Sequence, residues 1–133
     1  MAFYRDGTAF VYSDGALPGA INVGWLSRFW FYRKGRAKSE FVEELKKKCF
    51  DNRAIEHRGF HYCPLCPPWW SSGKKIPELL DEDRIVNLGS TVLSITHPDG
   101  TVFATADLIY HYVTVHRYLP PKKFIKATLN EKK

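Results

Sequence analysis

The sequence predicts an α+β fold: a small single domain, 1–133, built around a zinc-finger-like core. Three observations predict it. Cys63-Pro64-Leu65-Cys66 offers two thiols in a tight turn, and His111 and His116 offer two imidazoles far downstream. Short aromatic and β-branched runs broken by Asp-Gly and Pro-Gly pairs read as strands, and stretches of 3.6-residue apolar period read as helices. At 133 residues with 44% apolar and 15% aromatic side chains, the chain can bury a core of its own.

Residues 1–32 form a β-rich portion, cut by Asp6-Gly7, Asp14-Gly15 and Pro18-Gly19. Within it, Ile21-Asn22-Val23-Gly24-Trp25-Leu26 reads as a buried strand or strand end, with Trp25 in the core. Arg33 to Ser39 is polar and suits a loop. Ser39 can cap a helix over 39–50, whose Phe41, Val42, Leu45 and Cys49 share one face, and Lys46 to Lys48 suit its C-terminal dipole. A lone cysteine on that face, Cys49, reads as a buried packing residue.

Residues 58–70 carry the zinc knuckle and a loop, with Trp69 and Trp70 expected as a lid on the core or, alternatively, as an exposed contact surface. The 84–104 region holds a β-hairpin: Val92 to Thr96 and Thr101 to Ala104 flank His97-Pro98-Asp99-Gly100, where His97 is a turn residue. Residues 107–130 give the C-terminal helices. Asp107 opens the first, Pro120-Pro121 ends it, and Lys122 to Leu129 forms the last.

Two thiolates and two imidazoles are the ligand set of a closed tetrahedral zinc site. Cys63, Cys66, His111 and His116 are therefore the predicted ligands of one structural zinc. Residues five apart on a regular helix lie about 140° apart around its axis, so the turn at His116 must depart from α geometry. His61 is the alternative ligand, and a local set of His57, His61, Cys63 and Cys66 is cramped for a tetrahedron. The CxxC lacks the βαβ context of a redox pair.

Net charge is +6, concentrated unevenly. Residues 33–53 carry eight basic and four acidic side chains, and residues 117–133 carry six and one. Arg33, Lys34, Arg36, Lys122 and Lys123 are the candidate anion or nucleic-acid contacts. The acidic stretch 78–84 carries four acids and one base. No apolar run reaches the roughly 18 residues of a membrane span, and the N-terminus lacks a signal-peptide pattern. The expected location is the cytoplasm.

Asn22-Val23-Gly24-Trp25-Leu26, Arg58-Gly59-x-His61-x-Cys63-x-x-Cys66, Asp99-Gly100-Thr101-Val102-Phe103 and His111-Tyr112-Val113-x-x-His116-x-Tyr118-x-Pro120-Pro121 form an ordered series. The series resembles a family of small bacterial proteins, a domain of unknown function. The resemblance implies a self-contained domain with a metal site and no assigned activity. Gly89 to Ile95 lacks the Glu and Arg often found in the family's first hairpin strand, and the double Trp is not a family feature.

Three functions follow as expectations. The first is a zinc-stabilised bacterial binding module with a protein partner, of the immunity or accessory kind. The second is non-specific nucleic-acid binding. The third is a metal-dependent hydrolase using His57, His61, an open metal position and a carboxylate base such as Glu56, for which no supporting motif exists.

Overall fold

Alternation of side chains across two adjacent strands divides the apolar residues between two faces of one sheet. The computed structural model describes residues 4–10, 17–27, 31–56, 63–66 and 78–131. In chain order its elements are β1 (Ile21–Val23), α1 (Ser39–Asp51), β2 (Arg53–Glu56), β3 (Glu78–Asp81), β4 (Arg84–Asn87), β5 (Thr91–Thr96), β6 (Val102–Ala106), α2 (Ile109–Val115) and α3 (Lys122–Asn130).

The main sheet runs β1-β6-β5-β2. β5 and β6 form the predicted antiparallel hairpin, Leu93 opposite Thr105 and Ile95 opposite Phe103. β1 joins β6 in parallel, and β2 joins β5 antiparallel with a register irregularity between Arg53 and Ile55. β3 and β4 form a separate two-stranded ribbon. Within the 84–104 region, β4 precedes the predicted hairpin and pairs with β3 of the acidic stretch.

The face bearing Val23, Leu93, Ile95 and Phe103 packs against Phe41, Leu45 and Cys49 of α1, Tyr112 of α2 and Phe124 of α3. Phe124 centres this layer, edge-on to Phe103 at 5.5 Å and to Phe41 at 6.3 Å. The opposite face bears Val92, Ala104 and Ala106, covered by Phe10 and Trp25. Trp25 is thus core, as expected, but on the other side of the sheet from Phe41 and Leu45. Its indole Nε1–H donates to the Ala104 carbonyl at 3.0 Å, meeting the need of a buried indole for an acceptor. Residues 4–10 run beside β1 and satisfy its outer edge: the Gly7 amide donates to Asn22 O and the Asn22 amide to Thr8 O.

Two expected caps are placed differently. Ser39 is the first helical residue of α1, and Lys38 occupies the N-cap without a side-chain hydrogen bond. Asp107 precedes α2 by two residues. Its buried carboxylate accepts instead from the Gly89 amide at 2.8 Å, fixing the turn before β5. α2 is shorter than the predicted 107–118 helix, because the chain turns left-handed at Arg117 (φ 58°). Trp69, Trp70, His57 and His61 lie outside the described residues.

Candidate metal centre

The knuckle Cys63–Cys66 is a tight turn in which the Leu65 amide faces the Cys63 sulfur at 3.4 Å. Cys63 is buried in the main core cluster, and Leu65 and Cys66 pack against it. The knuckle is thereby fixed to the helical layer, beside α2.

His111 sits in the first turns of α2. His116 is its C-cap, at φ −106° and ψ 7°, off the helical path. The Tyr112 carbonyl accepts from both the His116 and the Tyr118 amides, a turn wider than α. Three features hold this ending: left-handed Arg117, the prolines at 120 and 121, and the Tyr32 hydroxyl, which donates to the His116 carbonyl at 3.1 Å. The departure from α geometry that the HxxxxH spacing demanded is present, and it brings the two imidazole centroids to 5.0 Å.

Cys63 Sγ lies 3.3 Å from His116 Nε2. Cys66 Sγ lies 3.1 Å from His111 Nε2 and 3.2 Å from His116 Nε2. One ligand atom from each of the four residues falls within 4.8 Å of all the others. Tetrahedral zinc with ordinary Zn–S and Zn–N bonds separates its S and N ligands by about 3.6 Å. The four residues can therefore close on one metal ion after small side-chain adjustments.

Electrostatics favour the imidazoles as ligands and oppose the Cys63 thiolate until a cation enters. Burial pushes the Cys63 thiol up to about 12, against the Leu65 amide. Burial, with His116 alongside, brings His111 down to about 4, and burial also lowers His116. At neutral pH the imidazoles are uncharged, with lone pairs free to donate. A divalent cation placed among the sulfurs reverses the cost of ionising them and displaces their protons.

The candidate anion contacts divide. Arg33 Nη2 donates to the Pro120 carbonyl at 2.7 Å, and Lys34 Nζ lies 5.2 Å from the centroid of the Tyr32 ring. Lys123 pairs with Asp99 at 2.8 Å. Arg36 and Lys122 are exposed. Glu56, the base a hydrolase would need, is exposed at the end of β2 and pairs with Arg53 at 3.2 Å. His97 is a turn residue whose Nδ1 accepts from the Asp99 amide. Tyr32 and Arg117 were missed by sequence reasoning. A tyrosine at the end of an aromatic run and a left-handed arginine carry no local signal.

No helix among the described residues is long and apolar enough to cross a membrane. No curated protein and no solved structure matches the chain. A family model, "Domain of unknown function (DUF7919)", matches residues 2–129. With nearly its whole length covered, the chain belongs to this family of unknown function.

Proposed function

We propose that the protein is a zinc-stabilised binding module that acts through its surface and carries no chemistry at the metal. The observation behind this reading is the convergence of Cys63, Cys66, His111 and His116 within 4.8 Å. Four protein ligands fill a tetrahedron and leave no position for water, which is the arrangement of structural zinc and not of a hydrolase. Zinc, and not a harder cation, suits two sulfurs and two nitrogens. A protein partner, in a bacterial immunity or accessory role, is the partner proposed from sequence.

Elemental analysis of the purified protein, beside Cys63→Ser and His111→Ala variants, tests the reading. The expected result is about one zinc per chain in the parent. Both variants lose it, and their thermal unfolding midpoints fall sharply. Full zinc retention by a folded His111→Ala protein sinks the proposed ligand set and moves the fourth ligand elsewhere, His61 first.

A further inference from the structure

Two basic segments far apart in sequence, 33–38 and 117–126, are joined in space. The Gly35 amide donates to Arg117 O at 2.9 Å, and the Leu119 amide donates to Arg33 O at 2.8 Å, with Lys34 bridged to Tyr118. The Phe41–Phe124 contact then holds the start of α1 against the start of α3. Residues 33–38 contribute Arg33, Lys34, Arg36 and Lys38, and residues 117–126 contribute Arg117, Lys122, Lys123 and Lys126. All eight are exposed. Neither segment contains an acidic residue. The rest of the chain carries 12 basic and 14 acidic side chains, so the positive excess of the sequence resides in these two segments. Asp99 neutralises Lys123; Glu40 lies at the margin of their joined surface and Asp6 is bonded to the Gly24 amide. Beside Arg33, Phe31 stands fully exposed, at 103%.

We infer that this surface binds the phosphodiester backbone of single-stranded nucleic acid, with Phe31 offering a face on which a base stacks. A protein interface depletes charged residues at its centre, whereas eight clustered cations suit a polymer that bears a charge at every unit. Exposed aromatic rings beside cations are the usual single-strand platform. The inference rests on the binding-module reading but not on zinc, because the cations stand on the surface whichever ion the knuckle holds.

The test is fluorescence anisotropy with labelled oligodeoxythymidine, oligouridine and a DNA duplex of equal length, at low and rising salt, with polyglutamate as competitor. The parent protein should bind the single strands saturably and with steep salt dependence. The Lys34→Ala/Lys122→Ala protein should bind about tenfold more weakly, with a salt slope shallower by roughly 1.4, two contacts at about 0.7 each. The Lys46→Ala/Lys47→Ala protein, altered elsewhere by the same charge, should bind within about twofold of the parent. Phe31→Ala should weaken single-strand binding and leave the duplex unaffected. Thymidine and uridine strands that bind alike identify the backbone as the ligand; a preference for one identifies the sugar or base and still supports the site. Absence of saturable binding overturns the inference, as do equal losses in the two double variants or displacement by polyglutamate at equal charge. Those results leave the zinc reading intact, because metal content is measured separately.

Discussion

Gly24 sits at φ 79°, and a methyl group added there would meet Thr105 Oγ1 at 2.7 Å and Ile109 Cδ1 at 2.8 Å. Both the left-handed backbone and the close approach of β1 to α2 demand glycine. The Gly24→Ala protein should lose about 2–4 kcal/mol, combining backbone strain with overpacking. Urea denaturation measures it, and a loss under half a kilocalorie would contradict the packing described. Asp107 sets a pH dependence. Burial raises its carboxyl to about 6, although the amides of Gly89, Thr91 and Ser90 and the Arg53 guanidinium hold it down. The folded form therefore keeps its proton where the unfolded chain has released it. From about pH 4 to about pH 6 stability should fall as pH rises, by on the order of 3 kcal/mol. Asp107→Asn, whose oxygen still accepts from the Gly89 amide, should flatten that slope. Unfolding midpoints at the two pH values decide it, and an unchanged slope would remove Asp107 from the account.

At the scale of elements, the end of α1, the end of β5 and the end of α3 meet at Glu131. Its carboxylate accepts from Lys48 at 2.9 Å, Asn52 at 2.8 Å and the Thr96 amide at 2.8 Å, and the Lys48 and Glu131 side chains are each 7% exposed. Burial opposes its ionisation, but Lys48, Thr96 and Asn52 together hold the carboxyl below its ordinary value. Its contribution is present above the unfolded-chain value and is lost as pH falls through the lower folded value. Glu131→Gln leaves the Lys48 ammonium buried without its counter-ion and should cost about 3 kcal/mol, whereas the Lys48→Met/Glu131→Leu protein should recover most of it. Calorimetric melts of both variants test this, and a double variant as unstable as the single one contradicts it.

Elements with strong local signals were legible in sequence. α1 followed from the spacing of Phe41, Leu45 and Cys49, and β5 and β6 from the Pro98-Asp99-Gly100 turn. The metal cluster followed from ligand type and spacing, including the non-helical turn at His116. β2 was hidden because it follows α1 after a single residue, Asn52. The β3–β4 ribbon was hidden because its strands are four residues long and flank a charged turn, with Leu80 and Ile85 left exposed. The Glu131 clamp was invisible because its partners are 35 to 83 positions away.

For the molecule as a whole, charge is distributed unevenly. The β3–β4 ribbon and its turn carry Glu78, Asp81, Glu82 and Asp83, α1 mixes four acids with three lysines, and the seam between the 33–38 loop and the 117–126 segment carries eight cations and no acid. That seam begins one residue after His116, so the candidate metal cluster and the basic surface share the turn from His116 to Tyr118. Tyr118 also donates its hydroxyl to Asp6, tying the two chain ends together.

The parallel pairing of β1 with β6 has a temporal consequence. A ribosome makes β1 early and β6 late, and Trp25 waits for an acceptor 79 positions downstream. Until the β5–β6 hairpin emerges, Val23 and Trp25 have no sheet to join, and the nascent amino-terminal region offers its apolar side chains to chaperones. The hairpin, closed by a short turn, assembles quickly; insertion of the oldest strand beside the newest must bear the loop-closure entropy and comes last. The β1–β6 pairing is therefore expected to form after the hairpin it joins.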